Sequence, residues 1–183
     1  MAVVVSLAPL FWYARYMKEI YLLRHGEKDA GGKLTENGKR TAKAARSTLP
    51  RFARIVSSDV ERAVLTAKLI AGKGPTIDRR AAYASAPPEI SLAINTLAKK
   101  HGISFLDAAR THNDPEVLRG IDELLEELAE NEKALVVSHD LTIMPAMEFR
   151  GMPFESIEPL CGYVIRMSDG AVSVRRYSMR VQK

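Results

Sequence analysis

The run Glu19-Ile20-Tyr21-Leu22-Leu23-Arg24-His25-Gly26-Glu27 constrains this chain more than any other stretch. Ile20 to Leu23 are residues that suit a buried strand, and the switch to Gly26, Glu27, Lys28 and Asp29 says that the strand has ended. In an open α/β sheet, chemistry gathers just beyond the carboxyl ends of the strands. A guanidinium and an imidazole delivered side by side at such a place suit a phosphate. Arg24 can grip it in a bidentate fork while His25 attacks its phosphorus.

Two further junctions repeat this pattern. Ala53 to Ser58 reads as a second buried strand, passing through Ser58 or Asp59 as a helix cap into Val60–Ile70. Val60, Ala63, Val64, Ala67 and Ile70 recur at helical spacing and predict the face laid on the sheet. Arg62 falls in the first turn of this helix, where free N–H groups and the helix dipole already favour an anion. Lys133 to Ser138 is a hydrophobic strand that runs into His139-Asp140, with a short helix from Leu141 to Phe149 after it. Three β-α junctions thus carry Arg24-His25, Arg62 and His139-Asp140, and together they predict one phosphate-gripping pocket.

The rest of the chain supplies the frame. Lys28 to Lys33 is a polar loop, broken by Gly31-Gly32, before a helix with Thr35 at its N-cap and Glu36 in its first turn; Pro50 ends that segment. Thr76 to Asp78 is a short strand, Arg79 to Pro88 a loop, and Ile90 to Lys100 an amphipathic segment. Asp114-Pro115-Glu116 opens a helix whose apolar stripe is Val117, Leu118, Ile121, Leu124, Leu125 and Leu128. Its acids, Asp122, Glu123, Glu126, Glu127 and Glu130, read as a solvated surface and not as a metal site. Gly162 to Met167 and Ala171 to Arg176 form a hairpin about Ser168-Asp169-Gly170, with Val172 and Val174 alternating as an edge strand does. This order predicts an α/β fold, a three-layer α/β/α sandwich on a mostly parallel sheet with a C-terminal hairpin. Residues 1–16 are read as an apolar N-terminal extension and residues 17–183 as a single domain.

Composition narrows the function classes. With 46% hydrophobic and 27% charged residues, the chain of 183 reads as soluble and globular. The net charge of +5 is scattered, without a Lys/Arg tract interleaved with aromatics, so it suits a small anionic substrate better than nucleic acid. The lone Cys161 rules out an internal disulfide framework and fits a reducing compartment, so a cytoplasmic protein is expected. No CxxC, HExxH or GxxxxGK[ST] occurs, so neither a zinc site nor a nucleotide-binding loop is declared. Ala2 to Tyr13 is almost wholly apolar yet too short to span a bilayer. It reads as an appendage packed on the domain or on another chain, as a weak membrane-surface anchor, or as residues upstream of a start at Met17.

The motifs resemble those of the histidine phosphatase superfamily, the phosphoglycerate-mutase-like proteins. Leu22-Leu23-Arg24-His25-Gly26-Glu27 is similar to the family's opening signature, and Leu34-Thr35-Glu36-Asn37-Gly38 to its LTxxG segment. Ser57-Ser58-Asp59-Val60-Glu61-Arg62-Ala63-Val64-Leu65-Thr66-Ala67 is similar to SSxxxRAxxTA, and Val136-Val137-Ser138-His139 to the second-histidine strand. The resemblance runs from about Ile20 to Val174, with Arg79 to Asp114 outside it. It implies a phosphomonoesterase in which His25 takes up the phosphoryl group as a phosphohistidine that water then hydrolyses. Arg24, Arg62 and His139 would surround the equatorial oxygens, and no metal or other cofactor would be needed. Many relatives supply a glutamate as proton donor from an LRE-like segment, but the corresponding stretch here is Arg79-Arg80-Ala81-Ala82-Tyr83. Glu89 is the nearest acid in sequence. Asp140, directly after His139, resembles the aspartate of the HD motif in the acid-phosphatase branch. The two remain alternatives, as does a site without a dedicated acid acting on a good leaving group. A phosphorylated small molecule or phosphoprotein is the expected partner, Tyr83 and His112 are further candidates near the pocket mouth, and the oligomeric state is open. A mutase and a non-catalytic phospho-ligand-binding module are the rival readings.

Overall fold

The register of three parallel strands decides where every candidate side chain lands. A computed structural model describes residues 17–82, 88–104, 107–108 and 115–179. The apolar extension at 1–16, Tyr83, His112 and the cap at Asp114 lie outside the described residues. The elements in order are β1 (Met17–Arg24), α1 (Glu36–Ala45), β2 (Arg54–Ser57), α2 (Glu61–Ala71), β3 (Thr76–Ile77), a 3₁₀ turn (Arg79–Ala81), α3 (Pro88–His101), α4 (Pro115–Glu126), β4 (Lys133–Ser138), α5 (Asp140–Glu148), β5 (Gly162–Ser168) and β6 (Ala171–Tyr177). The six strands form one sheet in the order β3-β2-β4-β1-β5-β6. Its first four members are parallel, and β5 and β6 add on as an antiparallel hairpin. At the hairpin tip Asp169 and Gly170 both adopt positive φ, 51° and 77°, the backbone that a tight two-residue turn between twisted strands requires.

Because side chains alternate along a strand, the sheet has two apolar faces and needs two helical layers. Ile20, Leu22, Val56, Ala134, Val136, Tyr163 and Ile165 point to one side and pack with Ile121, Leu124 and Leu125 of α4 and Ile143, Met144 and Met147 of α5. Tyr21, Leu23, Ile55, Leu135, Val137 and Val164 point to the other, against Ala42 and Ala45 of α1 and Ala63, Ala67 and Ile70 of α2. Small alanines let α1 and α2 lie close to the strands, and each large aliphatic buried this way contributes about 1.5–3 kcal/mol. The architecture is the α/β/α sandwich expected from the sequence.

Local expectations fare unevenly. Thr35 is the cap of α1, its hydroxyl accepting from Gly38 N at 2.9 Å. Neither Ser58 nor Asp59 caps α2: the capping position is Val60, with no side-chain hydrogen bond. The Ser58 hydroxyl is committed elsewhere, to His139. The buried stripe of α2 is Ala63, Thr66, Ala67 and Ile70, with Val60 and Val64 only half-buried. A polar threonine takes an inward place because its hydroxyl has partners there. The loop expected over 79–88 contains the 3₁₀ turn, capped by Asp78, whose carboxylate accepts from Arg80 N at 2.9 Å.

Two features hold the frame, one remote from the site and one beside it. At the amino end of β1, Glu19 is 1% exposed, and its two register neighbours, Lys133 on β4 and Arg166 on β5, both reach its carboxylate at 2.6 Å. Burial alone would push this carboxyl up, but the hydrogen bonds from Lys133 and Arg166 outweigh it and hold it below its ordinary value. Near the carboxyl ends, the first turn of α1 rests on the residues after His25: Thr35 N donates to Glu27 O at 3.0 Å, and a Cβ at Gly38 would overlap that same Glu27 carbonyl.

Glu19→Gln is expected to cost about 1–3 kcal/mol in urea unfolding at pH 7, less than a fully buried pair because both cations are partly exposed. The native pKa is the depressed one, so this contribution is present above the unfolded carboxylate's pKa and is lost as pH falls through the native value; the gap between wild type and variant should close in acid. Gly38→Ala should lower the melting temperature and, by displacing Glu27, also reduce whatever activity His25 supports; retention of both would contradict the close packing.

Candidate active site

The site grows out of strand register. Arg24 pairs with Ser138 across β1–β4, and Ser57 pairs with Val137 across β2–β4. The three strands therefore end together, and His25, Ser58 and His139 are the first residues past their ends. Main-chain bonds continue the register beyond the ladders: His25 N donates to Ser138 O at 3.0 Å and Ser58 N to Val137 O at 3.3 Å. The imidazoles of His25 and His139 lie with centroids 5.2 Å apart, tilted by 59°.

Arg62 joins them. From the first turn of α2 its Nε donates to His25 Nε2 at 3.0 Å and its Nη2 to His139 Nδ1 at 3.3 Å. A guanidinium can only donate, so both imidazole nitrogens facing it carry lone pairs. The opposite nitrogens complete each assignment. His25 Nδ1 lies 2.7 Å from the carbonyl of Gly26, which can only accept, so that nitrogen bears the proton. His139 Nε2 lies 2.8 Å from Ser58 Oγ and donates to it. Both rings are neutral. Burial first, then the charges of Arg62, Arg24 and Lys28, lower His25 to about 4 against the hydrogen bond to Gly26, which pulls it up. Burial, then Arg62, His25 and Arg24, lower His139 to about 3. Burial and the neighbouring Arg24 also lower Arg62.

Thr66 ties the loop after His25 to this arginine. Its hydroxyl donates to Arg62 O at 2.6 Å and accepts from Gly26 N at 3.0 Å. A Cβ on Gly26 would come within 2.9 Å of Leu34 Cδ2 and 3.2 Å of the Gly38 carbonyl of α1, so glycine suits the close approach of the loop to this helix.

Arg24 and Asp140 form the other flank. The Arg24 guanidinium donates from Nη1 to the carbonyl of Ile157 and lies 3.0 Å from Asp140 Oδ2. Ser156 Oγ is 3.4 Å from the same oxygen. Despite the ion pair, burial dominates and raises Asp140 above its ordinary value. Asp140 Oδ1 and Arg24 Nε are buried without a partner. The arrangement thus offers a lone pair for attack, several N–H donors for anionic oxygens and a carboxyl disposed to hold a proton.

The structure gathers five of the six expected site residues, Arg24, His25, Arg62, His139 and Asp140, at the carboxyl ends of the sheet. Glu89 falls in the first turn of α3, with its side chain outside the described part. Sequence reasoning assigns no role to Ser58 beyond a helix cap, and none to Thr66, Ser156 or the Ile157 carbonyl. For the first two a signal exists, since both are hydroxyl residues within the Ser57–Ala67 motif; the last two come from a loop with no pattern. Among the described residues, no group of three or more His, Cys, Asp or Glu side chains is placed to hold a metal ion, and no helix is long and apolar enough to cross a membrane.

Comparison with known proteins bears on the family and the fold. The family model of the histidine phosphatase superfamily (branch 1) matches residues 20–82, a segment that contains Arg24, His25 and Arg62. No curated protein matches the chain. A crystal structure of phosphoglycerate mutase from Bacillus anthracis is similar with a TM-score of 0.70 and 19% identity, covering 88% of this chain and 93% of that one. A mutant phosphoserine phosphatase from Entamoeba histolytica, in complex with phosphoserine, is similar with a TM-score of 0.60 and 18% identity over 88% and 97%. A putative alpha-ribazole-5'-P phosphatase from Escherichia coli has a TM-score of 0.61 and 20% identity over 89% and 97%. At these identities the likeness speaks for the fold alone. The resemblance read from the sequence is therefore borne out: the chain carries the histidine phosphatase superfamily signature over residues 20–82 and folds as the phosphoglycerate-mutase-like proteins do.

Proposed function

We propose that this protein is a phosphomonoesterase that works through a phosphohistidine at His25 Nε2. The observation that carries the reading is the tautomer of His25: Gly26 O fixes the proton on Nδ1, which leaves the Nε2 lone pair directed to Arg62, in the space between the two imidazoles. A neutral imidazole held in one orientation needs no deprotonation before it attacks.

A phosphoryl group entering beside His25 takes the donors of Arg62 that now serve the two rings. Nε2 forms a bond to phosphorus as the bond from phosphorus to the ester oxygen breaks. Charge on the equatorial oxygens is met by the Arg24 and Arg62 guanidiniums and by His139. The leaving oxygen takes a proton from Asp140, whose raised pKa suits a general acid. Asp140, now a carboxylate, accepts a proton from the water that attacks phosphorus from the side away from Nε2, returning His25 and releasing inorganic phosphate. The substrate is a phosphorylated small molecule or a phosphoprotein side chain, and the basic, partly exposed Lys28 and Arg24 at the rim suit its charge.

His25→Ala should reduce phosphate release from p-nitrophenyl phosphate by about a thousandfold or more. Rapid acid-sensitive labelling from a ³²P-ester should appear in wild type and vanish in this variant. An active wild type that never carries such a label would overturn the covalent route. Hydrolysis of nothing at all would leave the phospho-ligand-binding module, and interconversion of phosphoglycerate isomers without net phosphate release would identify a mutase.

The pH profile tests the acid and the base together. His25 must be neutral, so kcat/KM should rise as pH passes upward through about 4 and not through the ordinary 6.5. Asp140 must be protonated, so kcat/KM should fall as pH rises past its elevated pKa. Asp140→Asn should cost about 10²–10⁴ in kcat/KM with alkyl phosphates and little in kcat/KM with p-nitrophenyl phosphate, whose leaving group needs no proton, while kcat falls with both because hydrolysis of the phosphohistidine loses its base. If Glu89→Gln shows that split and Asp140→Asn does not, the proton donor is Glu89.

A further inference from the structure

We infer that Ser58 is a positioning residue that sets the tautomer of His139 in the free site and reverses its own hydrogen bond when a phosphoryl group binds. The inference rests on the phosphate-binding reading of the pocket but not on hydrolysis. In the free site His139 turns the wrong atom toward an anion. Its Nδ1 lone pair faces Arg62 Nη2 at 3.3 Å, while its proton sits on Nε2, 2.8 Å from Ser58 Oγ. A phosphoryl oxygen arriving between Arg62 and the ring would meet that lone pair and be repelled. The ring must present a proton at Nδ1 to become useful.

Two routes lead there. Adding a second proton would make an imidazolium, which burial and the adjacent Arg62 and Arg24 charges oppose. Changing tautomer keeps the ring neutral: Nε2 releases its proton to water, Nδ1 takes one from water, and no net charge enters. The second route requires a partner at Nε2 that accepts in one state and donates in the other. A carbonyl or a carboxylate only accepts, and an ammonium only donates. A hydroxyl does both by rotating about its C–O bond. Ser58 is such a partner, fully buried and 2.8 Å from the ring. It is also held rigidly, since its main-chain N–H bonds Val137 O at 3.3 Å and its carbonyl accepts from Ser57 Oγ at 2.9 Å. This commitment explains why Ser58 does not cap α2.

The test uses imidazole ¹⁵N spectra of the full chain, free and with saturating inorganic phosphate. In the free protein His139 should show a protonated Nε2 and an unprotonated Nδ1. Phosphate should exchange the two resonance types, leaving a neutral ring with its proton on Nδ1. A ring protonated on both nitrogens in the phosphate complex, or an unchanged tautomer, overturns the inference. Ser58→Cys puts a larger, poorly hydrogen-bonding sulfur at this place and Ser58→Ala leaves a small void, so the same loss in both, whose packing errors are opposite, separates function from packing. Both variants should lose the exchange and weaken phosphate binding and kcat/KM about 10- to 100-fold, the size found when an outer partner orienting an imidazole is removed. Phosphate affinity within about twofold of wild type in a folded Ser58→Cys protein would likewise refute the role, because removing such a partner should cost far more. Absence of phosphate binding to the wild type would refute the role along with the pocket itself. Tautomer exchange in a protein that hydrolyses no ester would leave Ser58's role standing and remove the phosphomonoesterase reading alone.

Discussion

Everything at the site depends on the pairing of β4 with β1 on one side and β2 on the other. Parallel pairing in this register brings three chain segments to the same height, so that His25, Ser58 and His139 emerge as neighbours although more than a hundred residues separate the first from the last. A slip of one residue in either ladder would turn the inward side chains of that strand to the opposite helical layer. The leucines and valines that fill both layers therefore set the relative position of two imidazoles as surely as they hold the sandwich together. Core packing and site geometry are one constraint here.

Placed on that frame, Arg62 acts as a hub. Its guanidinium is shared between the two rings, its carbonyl is held by Thr66, and Thr66 in turn holds the main chain of Gly26. His25, Arg62 and His139 are linked by hydrogen bonds that specify which imidazole nitrogen carries a proton. Arg24 and Asp140 make a second, separate unit anchored on Ile157 and Ser156. The two units are joined along the chain at Arg24-His25 and His139-Asp140, so each strand end delivers one member to each unit.

Much of this is legible in the sequence because it follows from short-range rules. The apolar runs ending in Arg24-His25 and His139-Asp140, and the position of Arg62 in the first turn of α2, depend on local chain chemistry, and the structure agrees with them. Thr35 is recognisable as a cap because nothing else competes for its hydroxyl. Ser58 misleads for the opposite reason: a serine before a helix looks like a cap, but its partner, His139, lies 81 positions away and no local pattern announces it. Thr66 is hidden in a stripe of apolar residues, and Glu19 reads merely as the start of a strand. In both cases the burial of the polar group is offset by partners on other strands or in a loop, which periodicity does not report. Ile157 contributes a main-chain oxygen, which any residue would supply, so no reading of side chains would find it.

The double commitment of Arg62 has one more result. In the resting protein two of its five N–H donors already serve the molecule's own imidazoles, so an anion that needs those two competes with the protein for them. A doubly charged anion with several oxygens would offer each displaced N–H a new acceptor, which a chloride ion would do less well. The same internal partners would stay in place to take the guanidinium back once such an anion leaves. The pocket thus keeps part of its own charge engaged while it is empty.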